Sequence, residues 1–248
     1  MQIFTLMINL LRKLHYVYAI FSILFFFVLF WPFYYLGTRN PRYYLIVNQL
    51  RAIHSFICTA VTGIFFNFDY EQRIDRSQTY IYCANHTSNL DIIIFCLLAN
   101  RRYHFMGKEE LMKNPVLGIF FRTIDIAVSR ESKISAFRAF KKAGDNLERG
   151  MSLIIFPEGR IDDAYPPVLQ EFKNGPFRLA IEKHIPIVPV SINVWKLMWD
   201  DGMKFGTRPG IGQIYVHAPI STTLLVTEGA DALKEIVFDK IKSKLENK

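Results

Sequence analysis

His86 and Asp91 lie five residues apart in YIYCANHTSNLDII, residues 80–93, between a short apolar run and the start of a helical pattern. A histidine steered by a carboxylate is a general base: the acid accepts from one ring nitrogen and fixes the tautomer, and the other nitrogen is left to take a proton. Inside one regular helix, five positions rotate the two side chains by roughly 500°, about 140° out of line. The pair therefore meets only if His86 sits in the turn before the helix and Asp91 in its first turn. Ser88 and Asp91 also match the [ST]-x-x-[DE] spacing of a capping box, in which Asp91 only ties off the helix N-terminus. Both readings stay open at this level.

No GxSxG elbow is present to supply a nucleophile, so the attacking group of such a dyad comes from the substrate. The simplest reaction is an alcohol, deprotonated by His86, attacking an activated acyl group. General base catalysis of this kind contributes about 10²- to 10⁴-fold. Nothing calls for a metal, since there is no HExxH and no His/Cys cluster with ligand spacing.

SLIIFPEGR, residues 152–160, reads as a buried strand stopped by Pro157, with Glu158, Gly159 and Arg160 at its carboxyl end, where open α/β sheets place ligands. The same residues also fit a solvated strand exit. Lys108 in GKEEL, Arg130 in DIAVSR and Lys173 in EFKNG are the basic residues that would join them in a phosphate pocket, arginine binding in bidentate fashion.

These residues need elements to hold them. From Gln78 onward β-rich runs alternate with helical patterns, which predicts an α/β fold with a mixed sheet flanked by helices. Strands are expected near 80–84, 103–106, 124–128, 152–156, 186–193 and 213–218. Helices are expected over 132–149, with Ile134, Phe137, Ala143 and Leu147 on the apolar side, over 172–184 and over 230–245. IPIVPVSI, residues 185–192, is a structural strand, and the glycine-rich stretch 200–212 reads as a surface loop.

The front of the chain is different. Residues 16–36 run without a charge, long enough to cross a bilayer and too long for a usual signal-peptide core. Residues 43–68 are apolar too, with Asn48, Arg51 and Ser55 forming one polar stripe on a helix lying in or near the interface. An N-terminal apolar helical hairpin dipped into one leaflet is the preferred reading, and two full spans the alternative. The division is a membrane-associating segment over 1–72 and a chemical domain over 73–248. A net charge of +8 on a protein with 51% hydrophobic residues suits an anionic lipid surface. Nucleic acid is not the expected partner, because the basic residues are scattered and no zinc-finger, RNP or basic-zipper pattern occurs. Three cysteines, Cys58, Cys83 and Cys96, make no even framework. A reducing, cytoplasmic setting with all three buried follows.

Taken together, NHTSNLD, GKEEL…DIAVSR, FPEG with FKNG, and IPIVPV, in that order, resemble the four blocks of the glycerolipid acyltransferase family, in particular bacterial-type 1-acyl-sn-glycerol-3-phosphate acyltransferases. The resemblance covers roughly residues 75–220. It implies acyl transfer from acyl-CoA or acyl carrier protein, as co-substrate and without a cofactor, to the hydroxyl of lysophosphatidic acid, giving phosphatidic acid. In that picture His86 is the base, Asp91 orients it, and Lys108, Arg130, Glu158, Gly159, Arg160 and Lys173 hold the phosphate-bearing acceptor. The setting implied is the cytoplasmic face of a membrane, a bacterial inner membrane, with membrane lipid as partner. Other acceptors, glycerol 3-phosphate, another lysophospholipid or a lyso-aminolipid, and a catalytically silent lipid-binding protein are the rivals. The sequence departs from the family at Arg160, which stands where the family has threonine, and at Ile161, where it has arginine. The glycine often found before the second block's strand is replaced near Thr123 and Ile124.

Overall fold

The computed structural model describes residues 2–99, 102–129, 131–200, 202–225 and 229–245. Its first element is helix α1, Gln2–Gly37, 36 residues and about 54 Å long. Asn40 caps a short 3-10 turn, Pro41–Tyr43, by accepting from the Arg42 backbone N–H at 3.0 Å. Helix α2, Tyr44–Val61, then returns along α1. The pairs Tyr34 with Leu50, Ser22 with Cys58 and Tyr18 with Val61 show the two helices antiparallel. The apolar hairpin is therefore present.

The polar stripe of α2 does not face headgroups. Asn48, Arg51 and Ser55 are buried. Asn48 donates to the Tyr103 carbonyl at 3.0 Å, and the Arg51 guanidinium forks onto Asp125 at 3.3 and 3.1 Å. One oxygen of Asp125 also accepts the Phe105 backbone N–H at 2.9 Å. The Arg51 cation lies over the Phe120 ring, 4.4 Å from its centroid. A charge this deep is tolerable only with its partner in place, so the stripe is a docking face for the rest of the protein.

Residues 43–68 are not one helix. Helix α2 stops at Val61, Gly63 takes φ +66°, and strand β1, Ile64–Tyr70, follows. Glycine adopts that left-handed conformation without a Cβ penalty, a common way for a helix to end. Thus β1 belongs to the sheet although it precedes residue 72.

The other strands are β2 (Ile81–Ala84), β3 (Tyr103–Lys108), β4 (Ile126–Val128), β5 (Ser152–Ile155), β6 (Ile187–Asn193) and β7 (Gly210–Val216), in the order β1-β7-β6-β2-β5-β3-β4. Every pairing is parallel except β6 with β7. β2 and β5 are buried along their whole length, as central parallel strands covered on both faces must be. One face carries α3, Leu90–Leu98, with α2 beyond it. The other carries α5 (Lys133–Glu148), α6 (Gly175–Glu182) and α7 (Ala230–Leu245), after a short α4 (Gly118–Phe121).

Two expectations need correction. In α5 the core face is Ala139, Ala143 and Leu147, whereas Ile134 and Phe137 are exposed; Phe137 is six positions from Ala143, about 120° away on the helix. The described residues of 200–212 are not a free surface loop. Thr207 is buried, donates its N–H to the Arg12 carbonyl at 3.1 Å and meets His15 Nδ1 through its hydroxyl, so the stretch clasps α1. Asp201 lies outside the described residues. The three cysteines are free and buried.

Candidate active site

Strands β2, β5, β3 and β4 run in the same direction, so the segments leaving their carboxyl ends emerge on one edge of the sheet. β2 gives way there to Asn85, whose amide bonds both ways with the Ile192 backbone at 2.9 and 2.7 Å, closing the end of the strand against β6. His86 to Asn89 form the turn and α3 begins at Leu90, the placement the five-residue spacing requires.

Asp91 is fully buried. A single oxygen, Oδ2, accepts from His86 Nδ1 at 2.8 Å, from the Thr87 backbone N–H at 2.8 Å and from the Ser88 backbone N–H at 3.0 Å. Capping and orientation of the ring are therefore the work of one atom. The Ser88 hydroxyl accepts from the Leu90 N–H at 3.0 Å. From outside, Asp200 pins the turn through its backbone: its N–H donates to the Thr87 carbonyl at 2.9 Å and its carbonyl accepts the Asn89 N–H at 3.0 Å.

The imidazole of His86 stacks on Phe156, centroids 4.1 Å apart and planes 14° from parallel. Its side chain keeps 17% exposure. With Nδ1 committed to Asp91, Nε2 is bonded by none of the described residues. That arrangement can take a proton from a hydroxyl brought to the open edge of the ring.

Glu158 holds the same turn from the β5 side. Its Oε1 accepts the His86 backbone N–H at 2.7 Å, and its Oε2 accepts the Gln170 N–H at 2.8 Å. Burial pushes its carboxyl up to about 7, against the downward pull of those two N–H groups. Gly159 takes φ +76°, and a Cβ there would stand 3.0 Å from Lys173 Nζ. The Lys173 ammonium thus lies over the FPEG turn, and the Lys173 N–H donates to the Pro157 carbonyl at 3.0 Å.

The structure brings His86, Asp91 and Glu158 into one bonded cluster and Gly159 against Lys173. Lys108, at the end of β3, and Arg160 are exposed and bond to none of these. Arg130 lies outside the described residues. Among the described residues, no three His, Cys, Asp or Glu side chains are grouped to hold a metal ion. Phe156, Gln170, Asn85 and Asp200 were missed from sequence. Only Phe156 and Asn85 carry a signal there, as neighbours of FPEG and of His86 itself.

The sequence model of the family described as Acyltransferase matches residues 66–193, more than half the chain. The chain belongs to the Acyltransferase family. Within this acyltransferase family it is 26% identical over 183 residues to an uncharacterised acyltransferase of Schizosaccharomyces pombe, an alignment covering 72% of this chain and 65% of the relative. It is 31% identical over 162 residues to the 1-acyl-sn-glycerol-3-phosphate acyltransferase of Limnanthes alba, covering 64% of this chain and 56% of that one. The chain thus spans little more than half to about two thirds of these relatives' length. The crystal structure of the 1-acyl-sn-glycerophosphate (LPA) acyltransferase from Thermotoga maritima superposes with a TM-score of 0.75 at 20% identity, over 97% of each chain. That likeness shows that the acyltransferase chain shares its fold, hairpin included.

Proposed function

We propose that the chain is a 1-acylglycerol-3-phosphate O-acyltransferase, moving a fatty acyl group from acyl-CoA or acyl carrier protein to the free hydroxyl of 1-acyl-sn-glycerol 3-phosphate to form phosphatidic acid. The observation that carries the reading is the His86 ring, fixed by Asp91 at 2.8 Å with Nε2 left over. The acceptor hydroxyl gives its proton to Nε2 as its oxygen attacks the thioester carbonyl. The tetrahedral intermediate then collapses, the C–S bond breaks, and the imidazolium returns the proton to the leaving thiolate. Asp91 stabilises the imidazolium between these steps.

Lys173 and Arg160, with Lys108 from the end of β3 and with Arg130, supply positive charge for the acceptor's phosphate. Glu158 serves differently from the family expectation: a carboxylate repels phosphate, and both its oxygens accept backbone N–H groups. Its work is to position His86. Gly159 keeps the turn free of a side chain, so that the Lys173 ammonium can approach. Helices α1 and α2 bring the site to the cytoplasmic face of a membrane and the sheet from β1 onward carries the chemistry, with α1 the one described helix long and apolar enough to cross a bilayer. The relatives named as acting on 1-acyl-sn-glycerol 3-phosphate support the choice of acceptor.

The test is thiol release by the purified full chain with palmitoyl-CoA and lysophosphatidic acid in mixed micelles. Release should require both substrates. Faster release with glycerol 3-phosphate or another lysophospholipid would reassign the acceptor. Lipid binding with no thiol release from any acceptor would make the chain a silent lipid-binding protein.

A further inference from the structure

The outer face of the β1–β7 ribbon changes character along its length. Register places Phe65 beside Ile211, Asn67 beside Gln213 and Asp69 beside Tyr215. All six point away from the core that takes Ile64, Ile214 and Val216. The first pair is apolar and open, 52% and 63% exposed. The second is an amide pair, Asn67 Nδ2 donating to Gln213 Oε1 at 3.0 Å. The third joins an acid to a phenol whose ring lies 3.9 Å from the Lys244 ammonium. Apolar gives way to charged over about 13 Å of strand.

The apolar end is the end that meets α1. There the Thr62 carbonyl lies 2.9 Å from His15 Nε2, and the Thr207 N–H donates to the Arg12 carbonyl at 3.1 Å. Beside it the same clasp carries Met203, 69% exposed, with Lys204 and Arg208, while α1 adds Arg12 and Lys13. α1 itself carries an open row of apolar side chains from Ile3 to Leu36. Cations ring that end, and the ribbon's acid, Asp69, stands at the other.

Exposed apolar groups under a basic rim fit the boundary of an anionic bilayer, where hydrocarbon enters beneath the headgroups and lysine and arginine reach the phosphates. A second copy of the chain would bring the same cations face to face and be repelled. We infer that the apolar end of the β1–β7 ribbon, with Phe65, Ile211 and Met203, seats on an anionic lipid surface as a second contact beside the hairpin. The seating reaches the chemistry directly, because the segment that carries Met203 also supplies the Asp200 backbone that pins Thr87 and Asn89. The inference rests on the membrane reading of the hairpin.

The native cysteines are buried, so Met203→Cys and Ile211→Cys each offer one reactive thiol for a fluorophore; Asp239→Cys, exposed on α7 beside the polar end of the ribbon, is the control. The full chain is placed on phosphatidylcholine and phosphatidylglycerol vesicles with a nitroxide near the headgroup end of the acyl chain. Labels at 203 and 211 should lose emission to the lipid nitroxide and be shielded from aqueous iodide, and the label at 239 should do the reverse. If 203 and 211 behave like 239 while the chain still sediments with the vesicles, the second contact is wrong and the hairpin reading stands. A chain that does not sediment with them removes both.

Discussion

His86 and His217 both turn Nδ1 toward a carboxylate, His86 at 2.8 Å from Asp91 and His217 at 3.4 Å from Glu71. They differ in what meets Nε2. For His217 it is the Ser191 hydroxyl at 2.9 Å, whose proton goes to the Ile241 carbonyl at 3.0 Å. Serine, histidine and acid stand in the sequence of contacts of a hydrolytic triad, yet Ser191 and His217 are buried. Burial pushes His217 down to about 4, overriding the pull of Glu71. A ring whose Nε2 is taken by Ser191 and which has no open edge ties α7 to β6. A ring with one nitrogen engaged and one left over is where a substrate can enter. The chemistry of a histidine is set by the hydrogen bond it does not make.

Exchanging each ring for alanine is the sharpest way to break that contrast. His86→Ala should lower kcat by about 10²- to 10⁴-fold with an unchanged far-UV spectrum and unchanged sedimentation with vesicles. His217→Ala should keep kcat near that of the wild type. Equal losses of turnover in the two variants would erase the distinction.

Next in size is the buried pair that docks the hairpin. Arg51→Met leaves Asp125 charged and alone and should cost about 3–5 kcal/mol in chemical unfolding. Adding Asp125→Leu should recover part of that loss, and a double variant no better than the single one would contradict the account.

Glu158 tests how the site is held. Its carboxyl is raised from 4.5 to about 7, so between those values the folded chain keeps a proton that the unfolded chain has released. The stability from this group is whole below pH 4.5 and is lost as the pH rises through 7. The loss is on the order of 3 kcal/mol. Melting temperatures in detergent should fall across that window more steeply for the wild type than for Glu158→Gln; parallel curves would refute the assignment. Smallest of all, Ser191→Ala should cost about 1 kcal/mol of stability and nothing in turnover, checked by the same melts and the thiol assay.

The His86–Asp91 contact was legible in the sequence because it is local. Five positions separate His86 from Asp91, and the only way for them to touch fixes a turn and a helix start. FPEG likewise lies at the end of a run apolar enough to be a central strand. Contacts between distant segments were not legible. Nothing in residues 43–68 distinguishes a polar stripe facing headgroups from one facing Asp125, which is 74 residues beyond Arg51. The helix end at Gly63 had a signal in the glycine itself, but the apolar run past it masked β1. Glu158 read as a ligand because a charge at a strand exit looks the same whether it meets phosphate or two backbone N–H groups.

The Arg51–Asp125 pair bears on how the protein can be cut. Trimming the greasy front to obtain a soluble fragment, with residue 73 as the new start, would strip an edge strand from the sheet and leave a carboxylate stranded between β3 and α4. Such a fragment should be recovered as aggregate even in detergent. A fragment that keeps α2 and β1 and discards only the first helix would retain the cation that Asp125 was folded around.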